Sequence, residues 1–165
     1  MNTQARFEMV YRGRQSVLHH VSYMRMCKVL LALRILRRAG HSSENKNFFD
    51  YGFGAGTFFR YCPTSAHLSG VEQDPAVCQE ASDMLARRGF GNVELQPIEI
   101  EHWKEHPLLQ RSYDIFLCSH VLEHLPDPVD FLKTVRRCVT LDGVFVGLVP
   151  INERVENPHH LQKVD

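Results

Sequence analysis

The chain has 165 residues, of which 44% are hydrophobic, and its 19 basic and 19 acidic side chains give a formal net charge of zero. This length and composition are typical of one globular domain with a substantial hydrophobic core. The balanced charge excludes the general attraction to nucleic acid or anionic lipid that a strongly basic chain would show.

The first predicted element is a helix over residues 15–39 that stops at Gly40. Residues 1–40, which we treat as an N-terminal helical segment, carry eight basic side chains against one acid, Glu8. This excess predicts a solvated helix face or, alternatively, a docking surface for an anionic acceptor or partner. Apolar side chains recur at helical spacing and predict a buried stripe. One face of this helix holds Val17, Val21, Met24, Lys28 and Leu31, and Leu30, Leu33 and Leu36 widen its apolar stripe.

The second region, residues 41–165, begins with a polar linker and then a glycine-rich turn between two predicted strands. Strand one is 48–51, a helix is expected from about Gly56 to Tyr61, and strand two is 68–72. Glycines at 52, 54 and 56 let the backbone turn tightly and approach a ligand with no Cβ in the way. Glu72 ends strand two, where a carboxylate can accept hydrogen bonds from both hydroxyls of a ribose. The pattern predicts a pocket for a nucleoside-bearing cofactor.

The rest of the chain alternates helices with strands. Asp74-Pro75 and Asp127-Pro128 each provide a helix cap followed by proline at the first helical position. The other predicted elements are a helix to Gly89, strand 92–96, an irregular stretch around Trp103, strand 113–118, a helix with Phe131, Leu132, Val135 and Val139 on one face, a turn at 141–143 and strand 144–149. This alternation predicts an α/β fold with a parallel sheet, whose ligands bind at the carboxyl ends of the strands.

Two motifs carry a family resemblance. Asp50, Gly52, Gly54 and Gly56 form D-x-G-x-G-x-G, whereas a dinucleotide fingerprint would place its third glycine at Thr57. The pattern resembles the first motif of class I S-adenosylmethionine (SAM) dependent methyltransferases. The run S-H-V-L-E-H-L-P-D-P, residues 119–128, is similar to the segment after strand four in the small-molecule methyltransferases.

The resemblance spans roughly residues 45–150 and implies a Rossmann-like, doubly wound sheet of about five mostly parallel strands. The implied strand order is 3-2-1-4-5, with helices on both faces. The full family fold adds a last helix and an antiparallel strand pair, which we do not find before Asp165. We therefore expect either a fragment, or a second copy or other partner that covers the edge of strand five.

The resemblance also assigns roles to residues. It places the amino-acid end of SAM on the glycine loop with Asp50, the ribose on Glu72, and the methyl group beside Ser119 and His120. For the adenine, the candidates lie in residues 96–99, where Glu99 is the first choice with an ambiguity of one residue, and Gln73 is a weaker candidate. A solvent-exposed glutamate without a ligand is the alternative for Glu99.

The spacing of His120, Glu123 and His124 has three interpretations. H-x-x-E-H is a zinc-hydrolase pattern, but such a site needs a third protein ligand, normally on a later helix. In addition, Pro126 ends the helix that would carry the two histidines only two residues after His124. We therefore predict no metal. The histidine and the glutamate could instead orient the turn. Alternatively, His120 or His124 is the general base for an oxygen acceptor, with His120 favoured because it directly follows the strand.

We therefore expect a SAM-dependent methyltransferase that acts on a small-molecule acceptor and releases S-adenosylhomocysteine (SAH). The alternative is a methyltransferase-like SAM-binding or non-catalytic interaction module. A nicotinamide-dependent dehydrogenase is disfavoured by the position of Gly56. We expect no nucleic-acid or membrane partner.

The five cysteines are odd in number, widely spaced and free of C-x-x-C. This usage argues against a disulfide framework and for a reducing compartment. No signal peptide is visible, and Arg34 interrupts the apolar run 29–33. We therefore expect a cytoplasmic location.

Overall fold

A computed structural model describes residues 23–42, 44–151 and 161–162. Its helices and strands, in chain order, are α1 Tyr23–Arg38, β1 Asn47–Tyr51, β2 His67–Glu72, α2 Pro75–Arg87, β3 Val93–Pro97, β4 Tyr113–Ser119, α3 Pro128–Cys138 and β5 Val139–Leu148. Short 3₁₀ turns cover Phe59–Tyr61, Ile100–Glu105, Pro107–Gln110 and Leu122–His124. Within the described residues, no helix is long and apolar enough to cross a bilayer.

The five strands form one sheet in the order β3-β2-β1-β4-β5, and every neighbouring pair is parallel. This order confirms the predicted Rossmann-like class I fold. Successive residues of a strand point to opposite faces, so Phe48 and Phe49 of β1 enter different cores. Phe48 packs in the core that includes side chains of α1 and α2. Phe49 packs in the core that includes Phe131 of α3 and Leu108 of a 3₁₀ turn.

Both predicted proline caps are confirmed. The Asp74 side chain accepts a hydrogen bond from the backbone N–H of Ala76 at 2.9 Å, and α2 begins at Pro75. The Asp127 side chain accepts one from the N–H of Asp130 at 2.9 Å, and α3 begins at Pro128. These bonds satisfy N–H groups that have no partner inside a helix, and so they fix where each helix starts.

The helix predicted after the glycine turn does not form. Residues 54–58 adopt turns, and only Phe59–Tyr61 closes into a 3₁₀ turn. Phe58 and Phe59 are 4% and 0% exposed, so the segment between β1 and β2 is held by buried aromatic rings. Pro63 also lies close behind, and proline has no N–H with which to continue a helix.

The buried face of α1 differs from the predicted stripe. Val29, Ala32 and Leu36 are buried, whereas Leu30 and Leu31 are about half exposed at 49% and 52%. Nearly every residue from 29 to 36 is apolar, so periodicity alone did not identify the face that packs. Residues 15–22 of the predicted helix lie outside the described residues.

Strand β5 is longer than predicted. Tyr113 of β4 pairs with Val139 of β5, but Ile115 already pairs with Val144. Between these two pairs β5 contains more residues than β4. The predicted turn at 141–143 is therefore a bulge within one strand, and its Leu141 is 93% exposed. On α3, the predicted face is also partly wrong, because Leu132 is 40% exposed while Thr134 and Cys138 are buried.

Candidate cofactor site

The glycine loop adopts the conformation that the sequence pattern requires. Gly52, Gly54 and Gly56 have φ angles of +73°, +53° and +66°, in the left-handed region that side chains disfavour. At Gly52 space is also limiting, because a Cβ there would lie 2.6 Å from Cγ2 of Val121. The loop after β4 therefore packs directly on the first glycine.

Glu72 joins the end of β2 to this loop. Its side chain is buried at 3% exposure, and its Oε2 accepts a hydrogen bond from the Gly54 N–H at 2.9 Å. Oε1 accepts from the N–H of Gln73 at 2.8 Å. A carboxylate has about four acceptor positions, so it can accept from backbone N–H groups and from ligand hydroxyl groups at the same time. The sequence predicted that the glycine loop and Glu72 lie at one pocket, and the structure joins them through this hydrogen bond.

Asp50 lies at 4% exposure on β1, and its Oδ1 has no hydrogen-bond partner among the described residues. Burial, and secondly the charge of Glu72, raise the pKa of Asp50 well above its usual value. A buried carboxyl oxygen without a partner is costly. A cationic group on a ligand would offset that cost, and so the position fits the ammonium of an amino-acid moiety.

The two predicted adenine residues lie at the ends of neighbouring strands, β2 and β3, but both side chains are exposed. Gln73 contributes its backbone N–H to Glu72, and Glu99 precedes the 3₁₀ turn Ile100–Glu105 without capping it through its side chain. Ile98, the residue before Glu99, is buried at 7% exposure, and its N–H donates to the Glu72 carbonyl oxygen at 3.0 Å. Ile98 lies within the range 96–99 that the sequence offered for the adenine, and its apolar side chain is a further candidate for contact with an adenine ring.

The loop after β4 turns sharply at His120. This residue has a φ of +57°, which is uncommon for a residue with a side chain, while its N–H still bonds to the Leu148 carbonyl oxygen at 2.8 Å. The chain thus leaves the β4–β5 ladder directly after Ser119, which is half-buried. Such strain is concentrated at functional sites.

The His120 ring has a partner at each nitrogen. Nδ1 lies 3.2 Å from Oε1 of Glu123, and Nε2 lies 2.6 Å from Nζ of Lys28 on α1. The contact with Lys28 spans 92 positions of the chain. No sequence signal indicated it, because helical spacing places Lys28 in the apolar stripe of α1.

Glu123 is fully buried, at 1% exposure. Burial raises the pKa of its carboxyl, but the hydrogen bond with His120, helped by a backbone hydrogen bond and by electrostatic interactions with His120 and His124, outweighs the effect of burial. The pKa therefore lies below its usual value. Its backbone oxygen accepts from the N–H groups of Leu161 and Gln162 at 2.7 and 3.1 Å. An ionised carboxylate is thus held behind the imidazole.

His124, the second candidate base, ends the 3₁₀ turn Leu122–His124 and is half-buried. Within the residues that the structure describes, no group of three His, Cys, Asp or Glu side chains is arranged to hold a metal ion. The arrangement around His120 can instead orient an imidazole and accept a proton at Nε2.

Comparisons with known proteins agree with this geometry. Residues 49–147 match the family model described as a methyltransferase domain. The chain is 27% identical over 132 residues to the ubiquinone biosynthesis O-methyltransferase of Sodalis glossinidius, covering 79% of this chain and 49% of that protein. It is 24% identical over 115 residues to the enzyme of the same name from Histophilus somni, covering 68% of this chain and 48% of that protein.

Among solved structures, a SAM-dependent methyltransferase from Aquifex aeolicus superposes with a TM-score of 0.61 at 20% identity. The superposition covers 77% of this chain and 68% of the other. At this identity the likeness shows the fold alone. The chain spans about half the length of the curated relatives it matches.

Proposed function

The chain belongs to the class I SAM-dependent methyltransferases, and we propose on that premise that it transfers a methyl group from SAM to an oxygen of a small molecule. The names of the ubiquinone biosynthesis O-methyltransferases support an oxygen acceptor. The observation that carries the proposal is the hydrogen bond from the Gly54 N–H to the buried Glu72 carboxylate, because a carboxylate beside the glycine loop is suited to accept hydrogen bonds from ribose hydroxyls.

The residues present fit SAM. Glu72 would offer acceptors to the ribose hydroxyls, and the apolar side chain of Ile98 would suit the adenine. The glycine loop, with the Oδ1 of Asp50 that has no partner among the described residues, would hold the amino-acid end. When bound, SAM supplies a methyl group already activated by its positive sulfur. The protein therefore has to bind and orient the acceptor and exclude water.

For a hydroxyl acceptor, we propose that His120 takes the proton. Glu123 accepts from Nδ1–H of the ring and so leaves Nε2 as the basic atom. Replacing His120 and His124 in turn by Gln, and measuring turnover at saturating SAM, tests this assignment. We expect a loss for His120→Gln of roughly a hundredfold or more. Unchanged rates for both variants would remove a histidine base from the mechanism.

Calorimetry with SAM, SAH and NAD tests the cofactor. We expect the wild type to bind SAM and SAH but not NAD. Glu72→Gln should weaken SAH binding roughly tenfold or more, because hydrogen bonds to a charged group contribute about 1.5–3 kcal/mol. The matched control is Glu80→Gln, which changes an exposed carboxylate on α2 and should leave binding unchanged.

Glu72→Gln also weakens the bond to Gly54, so urea unfolding of each variant must accompany the titrations. Glu72→Asp keeps the charge and should retain part of the affinity if the carboxylate is the recognised group. A wild type that binds NAD, or that binds none of the three ligands, contradicts the proposal.

We propose a reducing, cytoplasmic location. The five cysteines are free, and four of them are buried. Buried thiols of this kind behave as small hydrophobic side chains and suit a compartment that keeps thiols reduced. Fractionation of cells that express the protein tests this location.

A further inference from the structure

We propose that Lys28 and His120 together form the subsite for the acceptor oxygen, and that Lys28 selects an acidic hydroxyl group, such as a phenol, over an amine. The inference rests on the proposed methyl transfer and extends it, because it assigns a role to α1 and names the chemical class of the acceptor.

The bonding around the imidazole fixes where its proton lies. A lysine ammonium has only donors, so at 2.6 Å it donates to Nε2, which must carry a lone pair. Nδ1 then keeps the ring proton and donates it to Glu123 at 3.2 Å. The basic nitrogen of His120 and the positive charge of Lys28 therefore lie next to each other.

The core holds both partners in place. Lys28 is half-buried, and its neighbour Val29 is packed in the core at 7% exposure. On the other side, Val121 follows His120 and lies against Gly52. The pair of Lys28 and His120 is thus fixed beside the glycine loop, where the methyl donor is proposed to bind.

An oxygen that enters this subsite replaces the direct hydrogen bond between Lys28 and Nε2. It accepts a hydrogen bond from Lys28 and gives its own proton to the lone pair of Nε2 that is thereby released. The O–H bond breaks, and the oxygen's electron pair forms the new C–O bond. The C–S bond of the sulfonium donor breaks, with its electron pair left on sulfur, and His120 later releases the proton to water. The nearby ammonium favours the negative oxygen that precedes transfer.

An amine acceptor has the opposite electrostatics. It gains positive charge as it is methylated, and the ammonium of Lys28 repels that charge. An aliphatic alcohol loses its proton less readily than a phenol. The subsite therefore selects the most acidic hydroxyl that the surrounding surface admits.

The test uses 4-nitrocatechol, whose ionised form absorbs visible light, titrated into the protein with and without SAH. At a pH below that at which the free probe ionises, we expect the wild type to bind it largely as the anion. Lys28→Met should lower the ratio of ionised to neutral bound probe roughly tenfold or more, because a charge at this range shifts a pKa by about one to three units. Lys28→Arg should retain most of the effect.

The matched control is Lys133→Met, which removes an exposed lysine of α3 and should change nothing. A parallel titration with 4-nitroaniline should show weaker binding than the phenol in the wild type, with the preference lost in Lys28→Met. Nitrogen-15 NMR of the His120 ring should show a hydrogen-bonded Nε2 without a proton in the wild type and an altered Nε2 signal in Lys28→Met.

The outcomes separate the two proposals. If SAH binds but Lys28→Met ionises the probe as the wild type does, the role of Lys28 is refuted and the proposed function stands. If SAH does not bind, the proposed function fails, and the titration without SAH still decides the Lys28 subsite. A wild type that binds no probe, or binds it with its solution ionisation, also refutes the subsite.

Discussion

Alanine at position 52 tests whether the glycine loop and the loop after β4 are packed as closely as the structure shows. The new Cβ would lie 2.6 Å from Cγ2 of Val121, at a backbone φ of +73°. The left-handed backbone costs about 1–2 kcal/mol with a side chain, and overpacking costs about 1–3 kcal/mol, so we expect Gly52→Ala to destabilise folding by about 2–5 kcal/mol.

Two other glycines separate these contributions. Gly89 has a φ of +83°, and a Cβ added there would meet nothing within 4 Å, so Gly89→Ala should show the backbone cost alone. Gly91 also has open space, without a left-handed φ, and Gly91→Ala should be close to neutral. Urea unfolding measures all three free energies of unfolding.

A double-mutant cycle isolates the steric contribution. Val121→Ala removes the clashing methyl group, so Gly52→Ala should cost about 1–3 kcal/mol less in that background than in the wild type. If Gly52→Ala is no more destabilising than Gly89→Ala, or if Val121→Ala gives no relief, the contact between the two loops is refuted.

Three further predictions concern groups away from that contact. Because the pKa of Asp50 is raised in the folded protein, the stability that this group contributes is fully present below about pH 4 and is lost as the pH rises through the folded pKa. Urea unfolding should therefore show Asp50→Asn gaining on the wild type as the pH is raised above about 4. Asp127→Ala removes the cap of α3 and should lower the unfolding free energy by about 0.5–2 kcal/mol, whereas Asp142→Ala in the exposed bulge should not. In a thiol titration of the native protein, Cys27 should react first, and the buried cysteines should react only after denaturation, helped by a burial-raised pKa of about 11 for Cys78.

The sequence predicted the sheet and the glycine loop because their signals are local. A strand–glycine–strand pattern and the Asp-Pro caps at positions 74 and 127 each depend on a few neighbouring residues. Strand order followed from the family resemblance. The sequence also predicted that Glu72 and the glycine loop lie together, because parallel strands end at the same edge of the sheet. The hydrogen bond from Gly54 to Glu72 agrees with this prediction.

The parts that the sequence did not predict depend on packing between distant segments. The segment after Gly56 has helix-compatible residues, but burial of Phe58 and Phe59 holds it in turns. The buried face of α1 was not predictable because apolar side chains of this helix point in all directions around its axis. Lys28 reaches His120 only because α1 packs beside the loop after β4, and no local pattern encodes a contact 92 positions apart.

The bond from Gly54 to Glu72 also bears on how quickly a ligand can enter. Since protein atoms alone already hold the loop in its curved shape, a nucleoside meets a preformed surface and does not have to order a flexible segment first. Little affinity is then lost to immobilising the chain, and the speed of capture is set by diffusion and orientation. The carboxylate that we propose binds the ribose thus also holds the loop in the shape that the ligand needs.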